Sequence, residues 1–400
     1  MRMVVIGGAG EMGSVAVEYL ARQPECREII VADYDYQKAA NLQSRLGNDR
    51  VAIRECDVTN RTSLKEAIAG ATVVLNFAGP FYRLAHHVIE AVIDSGTSYV
   101  DICDDYDATR KILEYDDDAK KAGTTILTGM GASPGITNVY ARMGADWLDQ
   151  AEEIHTAWVT EGGEGRAVLF HLLHSSAGKI PGYRDGAYQD IKPMHDDGAL
   201  TVAFPAPLGE VTFYDIGHPE PITIPRFING VKTVTNKGAM GSLKSVRSMV
   251  QLELWREEPV KVGHHLISPN DFTVSFLLQN PHLLSPGGST GLGALYVSVQ
   301  GYKNGENQKY EFMSISSASM GEGTSLPAAV ASVLLGLGKI KQPGVIAPEC
   351  LDPRIVLTQL AKNPVPEGQV NSGLIIRLTR ENGEINVISP GKPMTVPAPK

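Results

Sequence analysis

The chain has 400 residues, 43% of them hydrophobic and 20% charged. That length exceeds one ordinary core and the composition excludes wholesale disorder. Thirty-six Lys and Arg stand against 45 Asp and Glu, a formal net charge of -9, which argues against nucleic-acid or anionic-membrane partners. No apolar stretch reaches the roughly 18 residues of a membrane span. The opening MRMVVIGGAG enters a Gly-rich turn at once, so no secretory signal is expected. Cys26, Cys56, Cys103 and Cys350 lie far apart with no C-x-x-C pair, so we expect a cytoplasmic chain without structural disulfides or a metal centre.

Through about residue 130, short β-branched runs alternate with helical patterns. Strands are predicted at 3–6, 29–32, 51–54, 73–76, 99–102 and 125–127, and helices at 13–22, 36–46, 62–68, 86–95 and 109–122. Strands separated by helices of this length predict a doubly wound parallel sheet with right-handed crossovers. After about Gly135 the pattern changes. Segments 153–160, 165–173, 201–204, 211–215, 294–301 and 309–317 read as strands of a mainly antiparallel sheet, with helices at 242–252, 270–277 and 326–336. A helix at 353–360 and a strand at 374–380 follow, and the Pro-rich stretch after Val387 reads as a loose tail. The expected division is a dinucleotide-binding domain at 1–133, an α+β substrate and dimerisation domain at 134–345, and a C-terminal segment at 346–400 that packs back on the core.

Gly8-Ala9-Gly10-Glu11-Met12-Gly13 matches G-x-G-x-x-G between a predicted strand and helix. Its glycines allow a tight turn, close approach to a pyrophosphate and close helix–strand packing, and the helix N-terminus offers N–H groups to phosphate. Asp33 ends the second strand, 20 residues after Gly13, where a carboxylate accepts hydrogen bonds from ribose hydroxyls and repels a 2′-phosphate. Asp33-Tyr34-Asp35 carries no Arg, which favours NAD over NADP, with Lys38 the one nearby cation that would reverse this. Asp57 and Val58 follow the third strand, and Asn76-Phe77-Ala78-Gly79-Pro80 follows the fourth. Both are positioned for the cofactor cleft, or else are ordinary loops.

Gly131-Ala132-Ser133-Pro134-Gly135 spells the G-x-S-x-G nucleophile elbow, but Pro134 lacks the N–H that an oxyanion hole needs there. The segment reads better as a crossing into the second domain, with Pro134 near the next helix start. Asp116-Asp117-Asp118, with Lys120 and Lys121, reads as a solvated helix face. His86-His87 and His264-His265 have no matching ligand cluster and are left structural. Asp101, Cys103, Asp104 and Asp105 follow the fifth strand, where a carboxylate holds a substrate ammonium or moves a proton, or else caps the next helix. Gly217-His218-Pro219-Glu220-Pro221 and Arg226 form a polar group suited to acid–base chemistry and carboxylate binding, or else a Pro-stiffened hairpin.

GGAGEMG at 7–13, VVLNFAGPFYRLAHHVIEAVIDSGTSYVDICDD at 73–105 and GMGASPGITNVYA at 129–141 together resemble the saccharopine dehydrogenase-like family. GHPEPITIPR at 217–226 and LPAAVASVLLGLGKIKQPGVIAPECLDP at 326–353 extend the resemblance. It implies a Rossmann domain, an α+β domain whose sheet makes a homodimer, and nicotinamide-dependent oxidation of a C–N bond or reduction of an imine. It assigns Gly8, Gly10 and Gly13 to pyrophosphate, Asp33 to ribose, and Asp57, Val58, Ala78, Gly79 and Pro80 to the adenine and nicotinamide sides. Many members carry Arg where this chain has Tyr34, which bears on NADP use. The expected function is hydride transfer at a C–N bond of an amino acid or amino-acid-derived imine. Asp104, His218 and Glu220 are the catalytic candidates and Arg226 the candidate for the substrate carboxylate. The competing readings are a non-catalytic NAD(H) sensor and an oxidoreductase of hydroxy or carbonyl compounds.

Overall fold

A computed structural model describes residues 1–160, 165–284, 291–363 and 369–391. The chain divides into two compact units, Met1–Val139 with Gly321–Pro364, and Tyr140–Met320 with Val365–Lys400.

From the N-terminus come β1 (Arg2–Ile6), α1 (Glu11–Arg22), β2 (Glu28–Asp33), α2 (Tyr36–Leu46), β3 (Val51–Glu55), α3 (Arg61–Ile68), β4 (Val73–Asn76), α4 (Phe81–Ser95), β5 (Ser98–Asp101), α5 (Tyr106–Glu114), α6 (Asp116–Ala122) and β6 (Thr125–Leu127). Apart from the edge strand β3, the strands are nearly all buried, as both-face coverage by helices requires. Local caps start the helices: the Asp35 carboxylate accepts from Lys38 N, and Asn60 accepts from Thr62 N and Ser63 N.

The chain continues through α7 (Ile136–Trp147), β7 (Gln150–Thr160), α8 (Arg166–Ser175), β8 (Ile180–Arg184), β9 (Ala187–Ile191), β10 (Leu200–Ala203), β11 (Glu210–Asp215), α9 (Glu220–Phe227), β12 (Thr233–Met240), α10 (Leu243–Gln251), β13 (Val260–Val262), β14 (His265–Ile267), α11 (Pro269–Gln279), β15 (Gly293–Lys303) and β16 (Glu306–Ser316). It ends with α12 (Met320–Gly336), β17 (Gly344–Ile346), α13 (Pro353–Leu360), β18 (Ile375–Arg380) and β19 (Ile385–Pro390).

In the first unit seven strands run in the order β17-β6-β5-β4-β1-β2-β3, every neighbour parallel. This is the expected doubly wound sheet, and its order reverses between β1 and β4, where such sheets bind ligands. The second unit is built on a ten-stranded sheet whose long path is β10-β11-β12-β7-β15-β16-β18-β19. Only β12 and β7 pair parallel, in full register from Thr233 opposite Glu153 to Met240 opposite Thr160. Each unit has its own apolar core, around Val5, Leu75 and Val330 in the first and around Phe213, Tyr296 and Ile315 in the second.

Several expectations are corrected. The segment 165–173 is the helix α8, which buries Leu169, Phe170 and Leu173 on one face. A short apolar run does not reveal its period, and this one was read as a strand. No hairpin forms at 217–221, because Pro219 caps α9 and Pro221 sits in its first turn, where a missing N–H costs nothing. The helix expected at 86–95 begins at Phe81, and the one expected at 109–122 breaks at Tyr115 into α5 and α6. The limits drawn at 133/134 and 345/346 do not fall between the units. Gly321–Pro364 lies with the first unit, since β17 adds to its sheet beside β6. Past Val387 the chain continues as the edge strand β19 to Pro390, and the tail at 392–400 lies outside the described residues.

Candidate functional site

The first unit gathers its Gly-rich turn and four strand ends along one edge of the sheet. Gly7 has φ +69°, and a Cβ there would lie 2.9 Å from Ala78 N, so the turn packs directly on the backbone after β4. A Cβ on Gly13 would collide with the Gly7 carbonyl oxygen, and one on Gly8 would lie 2.7 Å from Val5 O. At both positions a side chain would break the close packing of the turn. Gly10 differs: its φ is -73°, it is exposed, and an added Cβ meets only Gly7 O at 3.3 Å. Gly10 is the N-cap of α1 and supplies no side chain to the helix's first amides. The positive end of α1 thus opens at the β1/β4 reversal, with Gly10 and Glu11 exposed and Met12 half-buried.

Asp33 is buried at the end of β2, its Oδ2 accepting from Ala9 N at 2.9 Å and its Oδ1 from Asp35 N at 3.0 Å. Each oxygen keeps a lone pair for a further donor. Tyr34 is 75% exposed, and the Asp35 carboxylate is engaged with Lys38, 3.6 Å from its Nζ. Asp57 is exposed beyond β3 and Val58 is buried; two hydrogen bonds from Thr59 hold the Asp57 carboxyl below its usual range.

Asn76 is fully buried: its Oδ1 accepts from Ala78 N at 2.9 Å and its Nδ2 donates to Tyr99 OH at 3.0 Å. Its side chain therefore shapes the Phe77–Pro80 loop from beneath, which corrects its expected place as a contact residue. Tyr99 OH donates to Asp101 Oδ2 at 2.9 Å, and Asp101 Oδ1 accepts from Gly129 N, Cys103 N and the Thr128 hydroxyl at 2.7, 3.0 and 3.0 Å. Burial pushes the Asp101 carboxyl up, against the lowering effect of these donors. Asp105 is buried and accepts from Tyr82 N at 3.0 Å, which ties the β5 loop to the start of α4. Asp104 between them is half-buried. Ala78 and Gly79 are half-buried and Pro80 caps α4.

The second unit holds a constellation of its own on α8, α9 and β7. His218 and Glu220, 3% and 0% exposed, stand at the N-terminal end of α9 with His218 Nδ1 3.5 Å from Glu220 Oε2. His218 Nε2 lies 3.2 Å from His171 Nε2 on α8. The Trp158 ring from β7 stacks on His218 at 5.3 Å and 30°, and its Nε1 donates to Asn236 Oδ1 at 3.2 Å. A carboxylate, a second imidazole and an indole thus surround the His218 ring, a set of residue types suited to acid–base chemistry. Arg226 is not part of it. It is exposed in the last turn of α9, six positions and so about 600° of helical rotation after Glu220, with its guanidinium 5.7 Å from the Phe227 ring.

Residues 3–127 match the family model described as the saccharopine dehydrogenase NADP binding domain. The chain is 24% identical over 406 aligned positions to the carboxyaminopropylagmatine dehydrogenase of Synechocystis sp., covering 93% of this chain and 98% of that one. Its first 127 residues thus carry the saccharopine dehydrogenase NADP binding domain. The carboxynorspermidine synthase of Vibrio cholerae is 25% identical over 70% of this chain and 73% of its own. The saccharopine dehydrogenase (L-Glu forming) of Saccharomyces cerevisiae superposes with a TM-score of 0.62 at 16% identity, covering 90% of this chain and 96% of that one, which shows the shared fold. The protein is an oxidoreductase whose first unit binds a nicotinamide dinucleotide.

The sheet edge of the first unit collects Gly8, Gly10, Glu11, Met12, Gly13, Asp33, Asp57, Val58, Ala78, Gly79, Pro80 and Asp104 at and just after the ends of adjacent strands. The open helix end and the glycine cradle fit a dinucleotide. Asp101 stands out in the sequence, but its partner Tyr99, and His171 and Trp158 in the second unit, do not, since lone residues of these types carry no spacing signal.

Proposed function

We propose that the protein is an NAD(H)-linked oxidoreductase that acts on a C–N bond of an amino acid or amino-acid-derived imine. The observation that carries this reading is the N-terminus of α1, whose N-cap Gly10 brings no side chain, with the Asp33 carboxylate at the adjoining strand end. Gly8, Gly10, Glu11, Met12 and Gly13 receive the pyrophosphate, Asp33 the adenosine ribose, and Asp57 and Val58 the adenine side. Ala78, Gly79 and Pro80 border the nicotinamide side. The preference for NAD over NADP is supported by Asp33, by the exposed Tyr34 where an Arg would serve a 2′-phosphate, and by the pairing of Lys38 with Asp35.

The bound nicotinamide would donate or accept the hydride. The protein's own residues hold donor and acceptor together, exclude water and manage the proton. His218 is assigned the proton. The Glu220 carboxylate, 3.5 Å from Nδ1, gives its imidazole an anionic neighbour, and Trp158 stacks on the ring face. Asp104, half-buried at the β5 end, is assigned the substrate ammonium. Carboxyaminopropylagmatine and carboxynorspermidine, named in the relatives' titles, are both amines bearing a carboxyl group, which supports an amino-acid-type amine as substrate. Self-association as a homodimer is supported by the edge strand β19, where Ile385, Val387 and Ile388 are all more than half exposed.

The test is calorimetric titration with NADH and NADPH, then turnover with amino acids and keto-acid/amine pairs followed by nicotinamide absorbance. Tighter NADH binding with turnover of an amine or imine pair supports the reading. Turnover of 2-hydroxy acids alone would replace it, and tight binding without turnover across the panel would favour a sensor. His218→Asn and Glu220→Gln should lower kcat about 10–1,000-fold while NADH affinity stays within about twofold.

A further inference from the structure

Two buried carboxylates grip the segment that follows β6. At its near end Asp101 accepts from Gly129 N at 2.7 Å and from the Thr128 hydroxyl at 3.0 Å. At its far end Gly135 N donates to Asn138 Oδ1 at 2.9 Å, and Asn138 Nδ2 donates to Glu349 Oε1 at 2.7 Å. Between these anchors Gly131 N donates to Pro134 O at 2.9 Å, and a Cβ on Gly135 would collide with the Gly131 backbone. Asp101, Asn138 and Glu349 are each at most 1% exposed.

Glu349 is 211 residues from Asn138 in sequence and reaches it because β17 adds to the sheet beside β6, which delivers the Pro348–Cys350 turn to this place. A buried carboxylate is costly unless hydrogen-bonded, and an apolar side chain would fill the same volume more cheaply. The position needs an acceptor for Asn138.

With the Gly-rich turn after β1 and the ribose acid after β2, the adenosine half of a dinucleotide extends toward β3. The other half extends over β4, β5 and β6, whose end leads into 128–135. That stretch holds Gly129, Gly131, Pro134 and Gly135, so the surface it offers is set by where its backbone lies. We propose that Glu349, acting through Asn138, is a positioning residue for the nicotinamide end of the cofactor: it fixes Gly135, and with it the surface that receives the nicotinamide ring. This rests on the dinucleotide-binding reading above.

The experiment compares full-length wild type, Glu349→Leu, Glu349→Gln and Asn138→Ser by calorimetric titration with NADH and with ADP-ribose, which lacks only the nicotinamide. Glu349→Leu and Asn138→Ser should weaken NADH about fivefold or more and leave ADP-ribose within about twofold. Glu349→Gln keeps an acceptor for Asn138 and should bind both ligands within about twofold of wild type. Parallel weakening of both ligands, or unchanged NADH affinity in Glu349→Leu, would overturn the proposal. Wild type that binds neither ligand would instead overturn the dinucleotide reading itself. Should both disruptive variants fail to fold, hydrogen exchange at the wild-type Gly135 amide decides: slow exchange before NADH is added supports pre-positioning, and fast exchange slowed only by NADH contradicts it.

Discussion

The Asp33 carboxylate accepts the Ala9 amide at 2.9 Å with one oxygen and the Asp35 amide at 3.0 Å with the other. One side chain therefore pins the Gly-rich turn to the end of β2 and, through Asp35, sets the start of α2. Asp33→Ala leaves two backbone donors without their acceptor, at a cost of about 1–3 kcal/mol. We expect a lower midpoint in urea and NADH affinity reduced at least about tenfold. Asp33→Asn retains one acceptor oxygen without the charge, and should narrow the NADH-over-NADPH preference while destabilising less.

Gly10 and Gly13 separate binding from folding. Alanine at Gly10 has an allowed φ of -73° and only one near atom, at 3.3 Å. Its methyl group occupies the approach to the α1 amides. Gly10→Ala should melt within a few degrees of wild type and lose about tenfold or more in NADH affinity. Gly13→Ala drives a Cβ into the Gly7 carbonyl and to 2.7 Å from Gly8 Cα. It should lose binding and about 1–3 kcal/mol of stability together.

What could be read in the sequence depended on how local each cause is. The glycines of the turn and the acid ending β2 announced themselves because their roles lie in one β–α–β stretch. The parallel sheet was legible in its β-branched runs for the same reason. β17 was not: three residues, Gly344–Ile346, carry no periodicity and become a strand only by pairing with β6. α9 was hidden by Pro221 and Pro225, which read as turn chemistry although the first sits harmlessly in the opening turn. Asn76 looked like a contact residue until Tyr99, 23 positions on, claimed its amide. His171 and His218 meet across 47 residues, and no rule of spacing joins them.

In the second unit Lys237 and Asp215, 6% and 4% exposed, form a buried pair with Nζ 2.5 Å from Oδ1 and 2.6 Å from Gly198 O. Asp215→Ala leaves the ammonium buried with a carbonyl as its remaining acceptor, and should cost about 3–5 kcal/mol in chemical unfolding. Adding Lys237→Met to Asp215→Leu should recover most of that loss, because the uncompensated charge is gone. Arg184, 3.9 Å from Asp215, is 42% exposed and can turn to solvent.

His155 gives stability a pH dependence of known sign. Burial first, then Lys237, Lys309 and Arg184 against Asp215, pushes its imidazole from 6.5 down to about 4, with Glu153 3.7 Å from Nε2 and Thr235 Oγ1 2.8 Å from Nδ1. The unfolded chain binds a proton that the folded chain refuses. Stability from this group is therefore complete above about pH 6.5 and lost as pH falls to about 4. The ring is 29% exposed, which trims the effect to about 1–2 kcal/mol. In urea titrations across that range, His155→Gln should show a shallower loss than wild type; an identical slope would contradict the assignment.

The central claim is that the open end of α1 and the Asp33 carboxylate hold a nicotinamide dinucleotide. Calorimetric titration of wild type and Gly10→Ala with NADH and NADPH tests it most directly. The account predicts that wild type binds NADH at least about tenfold more tightly than NADPH, and that Gly10→Ala loses NADH binding while keeping its melting temperature. Equal NADH affinity in the two proteins, or no binding of either nucleotide by wild type, would contradict it.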